Sequence, residues 1–124
     1  MADFETVHER LKTILRCHAD GLVITKDGPA GMAVEIPGLE GKPWGYVAGT
    51  RVGKSYVSYY LMPVYASPEL AASVSPALAR RKQGKACFNF TKVDEALLAE
   101  LDELTGRGIA GFVSHARAAA AARR

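Results

Sequence analysis

Hydrophobic residues recur every three or four positions near the start of the chain. Phe4, Val7, Leu11 and Ile14 follow one another at the spacing that places side chains on one face of an α-helix. The residues between them are mostly polar or charged. This pattern predicts an amphipathic helix over about residues 4–18.

After this helix the hydrophobic period becomes two, which is the period of a half-buried β-strand. The segments 22–26 and 32–36 are joined by DGPAG, whose Asp and first Gly tolerate the positive φ of a hairpin turn. Two further β-rich segments, 43–50 and 54–62, are joined through a short loop that contains glycine. The four segments predict an antiparallel meander.

Strand alternation in the second hairpin separates aromatic from aliphatic side chains. Val47, Val57 and Leu61 fall on one face of the predicted strands. The aromatic residues fall on the other face: Trp44, Tyr46, Tyr56 and Tyr60. Antiparallel sheets commonly bury one face under helices and leave the other partly open. The pattern therefore predicts an accessible face that is rich in aromatic side chains.

Two Ser-Pro pairs interrupt the middle of the chain. Serine is a favoured N-cap, whereas proline is favoured at the first helical position and disrupts a helix interior. The pairs therefore predict two short helices, over 68–74 and 76–83, and Gly84 is expected to end the second. The last turn of that helix would contain Arg80, Arg81 and Lys82.

The last third of the chain predicts one more strand and a helix. Aromatic alternation in KACFNF, residues 85–90, favours a strand. Leucines between residues 97 and 104 form a helical stripe, and Gly106 is expected to end this helix. The segment 115–124 is rich in alanine and arginine, so we expect it to be frayed or ordered by a partner.

Length and element order favour one domain. The chain has 124 residues, 48% of them hydrophobic, which is enough to bury a core. We expect residues 1–114 to form a single α/β domain and residues 115–124 to form an Ala/Arg-rich C-terminal tail. The predicted fold is α+β: a two-layer α/β sandwich with a mainly antiparallel sheet of about five strands and helices on one face.

Hydropathy and cysteine usage bear on the compartment. No apolar run approaches the length of about 20 residues that a membrane-spanning helix needs. The N-terminus is amphipathic and acidic at its start, unlike a secretory signal. The two cysteines, Cys17 and Cys87, form no CxxC pair, so we expect reduced thiols. These features predict a cytoplasmic protein without a membrane partner.

Charge is unevenly distributed along the chain, whose net charge is +3. Residues 42–92 contain eight Lys or Arg and a single acid, Glu69, whereas residues 93–105 contain five acids and no base. A locally basic region attracts phosphate or nucleic acid, but such charges also serve as ordinary solvated faces. Composition alone leaves both interpretations open.

The sequence contains no complete catalytic or metal-binding motif. Lys85 could activate the neighbouring Cys87 as a nucleophile, but no histidine forms a recognisable motif with this thiol. The GKS at residues 53–55 lacks the first glycine of a phosphate-binding P-loop and lies between two predicted strands. A binding protein is therefore favoured over an enzyme.

Aromatic residues interleaved with cations suggest where a ligand would bind. Such surfaces stack and attract anionic aromatic ligands or single-stranded nucleic acid, and tyrosines also occur at subunit interfaces. We expect a small anionic ligand or a protein partner, with homodimerisation through this face or the tail as an alternative. The candidate ligand-binding residues are Trp44, Tyr46, Lys54, Tyr56, Tyr60 and Lys85.

Several motifs within residues 53–101 carry a family resemblance. They are YYLMPVY, the Ser-Pro helices followed by QGK, and CFNF followed by an acidic leucine helix. In these motifs the chain resembles the YdhG-like proteins, small bacterial domains of unknown function. The resemblance implies a compact α/β sandwich similar to the frataxin-like arrangement, with helices on one face of an antiparallel sheet.

The resemblance also implies an alternative function. Some relatives have been linked to iron handling, so iron binding or iron delivery is the second hypothesis. The acids of residues 94–105 are its candidate ligands, because hard cations prefer carboxylate oxygens. The sequence indicates no other cofactor. Nucleic-acid binding through the basic middle region is the third hypothesis.

Overall fold

The computed structural model describes residues 4–42, 45–84 and 86–122, with the backbone alone for residues 115–117 and 119–122. It is an α+β fold, as predicted. In chain order the elements are α1 (Phe4–Cys17), β1 (Val23–Gly28), β2 (Gly31–Glu35), β3 (Tyr46–Val52), β4 (Val57–Leu61), α2 (Met62–Ala66), α3 (Pro68–Ala72), α4 (Pro76–Ala79), β5 (Lys82–Gln83), β6 (Cys87–Phe90) and α5 (Glu95–Ala122).

The six strands form one antiparallel sheet in the order β1-β2-β3-β4-β6-β5. Strands β1 to β4 form the predicted meander. The two-residue strand β5, which the sequence did not predict, pairs with β6 and forms the edge of the sheet. Lys82 was predicted in the last turn of a helix, but it lies in β5 and pairs with Phe88. The preceding helix α4 already ends at Ala79 and has no basic residue in its last turn.

The first hairpin turns later than the sequence predicts. Gly28 and Gly31 pair as the last and first residues of β1 and β2, so the two residues between them form the turn. Asp27 therefore belongs to β1, and the described residues include no positive φ outside glycine. Its carboxylate pairs with Arg16 of α1, with Nη2 3.1 Å from Oδ2.

The two Ser-Pro pairs cap helices as predicted. The Oγ atoms of Ser67 and Ser75 accept hydrogen bonds from the backbone N–H groups of Leu70 and Leu78, each at 3.2 Å. These caps begin α3 and α4. Helix α2 was not predicted and replaces the end of the expected strand 54–62.

Helices α1 and α5 pack on the same face of the sheet. Thr50 of β3 and Tyr59 of β4 are paired neighbours, so their side chains project to the same side. His8 of α1 lies with Nε2 2.7 Å from Oγ1 of Thr50, and Thr105 of α5 lies with Oγ1 2.6 Å from the Tyr59 hydroxyl. All four side chains are buried. We call this side of the sheet the covered face.

The covered face contains the hydrophobic core, which explains the periodicities of the sequence. The apolar stripes of the helices and most apolar strand residues that project to this side are buried there, as burial of apolar surface favours. Its members include Val7, Leu11, Ile14, Leu15, Val57, Tyr59, Leu61, Phe88, Phe90, Leu97, Leu98, Leu101 and Leu104.

The alternate positions of the strands project to the other side, which we call the open face. The strand register places Gly49 beside Tyr60 and Arg51 beside Ser58. It also places Tyr60 beside Cys87 on β6. The open face is defined by Lys26, Ala33, Gly49, Arg51, Ser58, Tyr60, Gln83, Cys87 and Asn89.

Helix α5 is 28 residues long, so the prediction that Gly106 ends it is wrong. A Cβ at position 106 would lie 2.9 Å from Cε1 of His18, and one at Gly108 would lie 2.7 Å from Cβ of Pro63. The glycines therefore allow close helix packing instead of capping the helix. The helix also continues across the boundary that we placed after residue 114, and the division into domain and tail stays a prediction.

Candidate functional site

A shallow depression of about 490 Å³ crosses strands β2, β3 and β4 on the open face. Tyr46 and Tyr60, two of the predicted site residues, line it. Met32, Thr50 and Val52 also line it, although the strand register directs their side chains to the covered face. Met32 and Thr50 are almost fully buried, so the accessible surface of the depression comes mainly from the other lining residues.

Two glycines next to this depression allow close approaches of neighbouring groups. A Cβ on Gly31 would lie 2.6 Å from the carbonyl oxygen of Thr50, and a Cβ on Gly49 would collide with the hydroxyl of Tyr46. Ala33 pairs with Gly49 and adds only a methyl group. The Tyr46 phenol therefore crosses the sheet above Gly49. Glycine inside a strand often marks such a close approach.

A second depression of about 280 Å³ lies at the turn between β3 and β4, where it contains Lys54 and Tyr56. It shares Arg51 and Tyr60 with the larger depression, so the two form one continuous surface. We call this surface the ligand face. It includes Tyr46, Lys54, Tyr56 and Tyr60 from the predicted set, and their role in binding stays a prediction.

Two predicted site residues, Trp44 and Lys85, lie outside the described residues. The structure therefore gives no position for either relative to the ligand face. The described neighbours Gly45 and Ala86 are buried and half-buried, respectively.

Sequence reasoning missed two cations of the ligand face, Lys26 and Arg51. Lys26 pairs with Ala33 on β2, and Arg51 pairs with Gly31. Within the described part of the chain, neither they nor Lys54 form an ion pair. Strand alternation from Tyr60 across the hairpin could have identified Arg51. Lys26 could be assigned to this face only once the pairing register of β1 with β2 was known.

A hydrogen-bonded network extends the open face toward the β5 edge. Asn89 Oδ1 accepts from Ser58 Oγ at 2.8 Å and from Cys87 Sγ at 3.3 Å, and Asn89 Nδ2 donates to Gln83 Oε1 at 2.7 Å. The alternation of CFNF already placed Cys87 and Asn89 on one face, but the partners on β4 and β5 depend on tertiary pairing. The network consists of neutral side chains and so adds no negative charge to this region.

The Tyr46 phenol stays protonated at physiological pH. Burial, with smaller contributions from Tyr60, Glu35 and Cys87, raises the pKa of Tyr46 to about 12. A protonated phenol can donate a hydrogen bond to an anion. Tyr46 can therefore complement the cations without carrying charge itself.

Glu35 is a carboxylate beside this end of the open face, because it pairs with Tyr46 across β2 and β3. It accepts hydrogen bonds from the hydroxyl of Thr25 and from the backbone N–H of Gly41, the latter at 2.9 Å. These bonds lower the pKa of Glu35 and hold its charge in a local turn.

Cys87 is poorly suited to nucleophilic chemistry. Burial raises the pKa of its thiol, and hydrogen bonds with Ser58 and Tyr60 oppose this effect only in part. The group is therefore mainly a thiol near neutral pH. The geometry favours a hydrogen-bonding role for Cys87 within the open-face network.

The acids of residues 94–105 have structural partners. Asp94 caps α5 through the backbone N–H of Leu97, and the other four acids pair with groups of neighbouring segments or of α5 itself. The described residues contain no group of three or more His, Cys, Asp or Glu side chains arranged to hold a metal ion. The pairs are Glu95 with Arg10, Glu100 with Ser75, Asp102 with His18, and Glu103 with Arg107.

Comparisons with known proteins find no family model, curated protein or solved structure that matches this chain. Across the described residues, none of the helices combines the length and apolar character needed to cross a membrane.

Proposed function

We propose that this chain is a non-enzymatic binding protein that holds a small anionic ligand on the ligand face. The proposal rests on one observation: Lys26, Arg51 and Lys54 surround Tyr46 and Tyr60 on a continuous concave surface. These three cations have no ion-pair partner within the described residues. An anion would gain both Coulombic attraction and charge-assisted hydrogen bonds there.

Arg51 would make the main contact with the anion. It borders both depressions, and its planar guanidinium matches the geometry of a carboxylate or phosphate. Lys26 and Lys54 would add charge at the two ends of the surface. The phenols of Tyr46 and Tyr60 would donate hydrogen bonds from between them.

We further propose that the chain is a cytoplasmic YdhG-like protein. The motifs within residues 53–101 support this assignment, and the antiparallel α+β fold is consistent with it. Cys17 and Cys87 are both free thiols, as expected in a reducing compartment.

Isothermal titration calorimetry with phenyl phosphate tests the binding proposal. We expect the wild-type protein to bind this probe and the Arg51→Gln variant to bind it about tenfold more weakly, because a charge-assisted hydrogen bond is lost. Arg80→Gln is the matched control, since Arg80 is an exposed cation at the end of α4. Its affinity should equal that of the wild type.

Two results would contradict the proposal: no binding of phenyl phosphate, or equal weakening by Arg51→Gln and Arg80→Gln. Native mass spectrometry of the protein purified without chelator or added ligand then separates the remaining hypotheses. A bound small anion supports the proposal. A clean dimer without ligand favours self-association through the open face, and a bound iron ion favours the iron hypothesis.

A further inference from the structure

Two depressions make up the ligand face, and two residues border both of them. Arg51 and Tyr60 line both depressions, whereas Lys26 lines only the larger and Lys54 only the smaller. Each depression therefore has one lysine of its own and shares the same arginine with the other. This is the arrangement of two neighbouring anion sites with a common border.

The two lysines lie on different sides of Arg51. Lys26 pairs with Ala33 on β2, and Arg51 pairs with Gly31, two positions earlier on the same strand. With about 4.8 Å between neighbouring strands and about 7 Å between alternate residues, the Cα atoms of Lys26 and Arg51 lie about 12 Å apart. Lys54 lies beyond the other end of this pair, three positions after Arg51 and past the end of β3. A compact anion beside one lysine therefore lies away from the other lysine.

Acidic side chains do not balance these cations. None of the described residues that line the two depressions is an aspartate or a glutamate. Asp27 follows Lys26 in sequence, but strand alternation directs it toward the covered face, where it pairs with Lys12 and Arg16. An anionic group bound in one depression would therefore leave the lysine of the other depression uncompensated.

Arg51 has the chemistry to serve both depressions at once. Its planar guanidinium presents N–H donors along more than one edge, whereas the ammonium of lysine is a compact point charge. Each depression also contains a tyrosine of its own, Tyr46 in the larger and Tyr56 in the smaller. Each depression thus combines a lysine, a tyrosine and access to the shared guanidinium.

We propose that the ligand carries two anionic groups, one bound in each depression and joined by a short linker that passes Arg51. Phosphate and carboxylate groups both fit this description, since each accepts charge-assisted hydrogen bonds from lysine and arginine. Joining the two groups makes the second contact intramolecular, which raises the affinity above that of either group alone. This inference rests on the proposed function, because it names the ligand class of the same surface.

Butyl phosphate and butanediol bisphosphate test the inference, because the second probe adds a phosphate at the far end of the same chain. Titrations followed by ¹H–¹⁵N NMR at about 0.15 M salt give a dissociation constant for each depression separately. Ala33 lines the larger depression and Ser55 the smaller, so their amides are the reporters. We expect the bisphosphate to bind about tenfold more tightly than butyl phosphate, with the same dissociation constant at both amides.

Lysine substitutions test the two depressions one at a time. Lys26 and Lys54 are both exposed, so Lys26→Gln and Lys54→Gln should fold normally. We expect either change to weaken the bisphosphate about tenfold, toward the affinity of butyl phosphate. For butyl phosphate, Lys54→Gln should leave the dissociation constant at Ala33 unchanged, and Lys26→Gln should leave the one at Ser55 unchanged. Arg80→Gln is again the matched control.

The outcomes separate this inference from the function on which it rests. Equal affinity of the wild-type protein for the two probes would overturn the ligand with two anionic groups and leave anion binding intact. Bisphosphate affinity that Lys54→Gln does not change, or that Arg80→Gln weakens equally, would also overturn it, because the second phosphate would then bind elsewhere. Failure of both probes and of phenyl phosphate to bind the wild-type protein would reject the proposed function itself.

Discussion

His8 is a buried polar residue at the contact between α1 and the sheet. Its side chain is only 3% exposed, and its Nε2 atom lies 2.7 Å from Oγ1 of Thr50. Burial lowers the pKa of His8, and the positive charge of Lys12 lowers it further. The carboxylates of Glu9 and Asp27 and a hydrogen bond to main chain oppose this shift. The net effect favours a neutral imidazole in the folded state.

This shift predicts how stability depends on pH. The lowered pKa of His8 means that its contribution is complete above the ordinary value of 6.5. Below that pH the unfolded chain takes up a proton that the folded chain resists, so the free energy of unfolding falls until the folded pKa is reached. Urea unfolding followed by circular dichroism at about pH 7.5 and about pH 5.5 measures the loss.

His8→Gln is the control for this prediction, because glutamine does not titrate. We expect the variant to lose less stability than the wild type over the same pH interval. Glu9 and Asp27 have pKa values below 4.5 and 3.8, so their own contributions are lost at lower pH. An identical loss in both proteins would assign the pH dependence to other groups.

At the scale of elements, the glycines of α5 have different surroundings. A Cβ on Gly108 would lie 2.7 Å from Cβ of Pro63 and 2.8 Å from Cδ2 of Leu70. A Cβ on Gly111 would meet nothing within 4 Å. The two positions lie one turn apart on the same helix and therefore form a matched pair.

Alanine substitutions should change stability in opposite directions at these two positions. We expect Gly108→Ala to lower the free energy of unfolding by about 1–3 kcal/mol, because α5 must move away from α2 and α3. Gly111→Ala should raise it by about 0.5–1 kcal/mol, because alanine is the better helix former. Urea unfolding of both variants checks the prediction, and a loss of stability in Gly111→Ala would show that α5 is not helical there.

The elements that could be predicted are those that local chemistry determines. The apolar stripe of α1 and the serine caps of α3 and α4 depend on residues within a few positions of one another. The length of α5 and the existence of β5 depend on distant residues instead. Gly106 lies inside the helix, where His18 packs against it, and β5 exists because it pairs with β6. Local patterns contain no signal for either contact.

At the scale of the whole molecule, paired charges occur on the helices, whereas the ligand face carries cations without an ion-pair partner among the described residues. Several acids pair with cations on the helices, including Glu95 with Arg10 and Glu103 with Arg107. The cations of the ligand face lack such partners within the described residues. The net charge of +3 therefore understates the local excess of positive charge on that face.

The candidate site could be predicted from the sequence only in part. Strict alternation along β3 would place Tyr46 on the side of Ala48, and the register shift between Val34 and Glu35 brings it to the side of Tyr60 instead. Lys26 lies outside the basic segment of residues 42–92 and reaches the same surface only because β1 pairs with β2. A surface that spans several strands depends on pairing register, which composition and periodicity do not determine.

The most direct test of ligand binding on the open face is a ¹H–¹⁵N NMR titration of the full chain with phenyl phosphate. The amides of Ala33, Arg51 and Tyr60 should show the largest saturable shifts, because these residues line the larger depression. Absence of saturable shifts would contradict the account. So would shifts concentrated at Leu70 and Phe112, which line a separate groove of about 300 Å³ between α3 and α5.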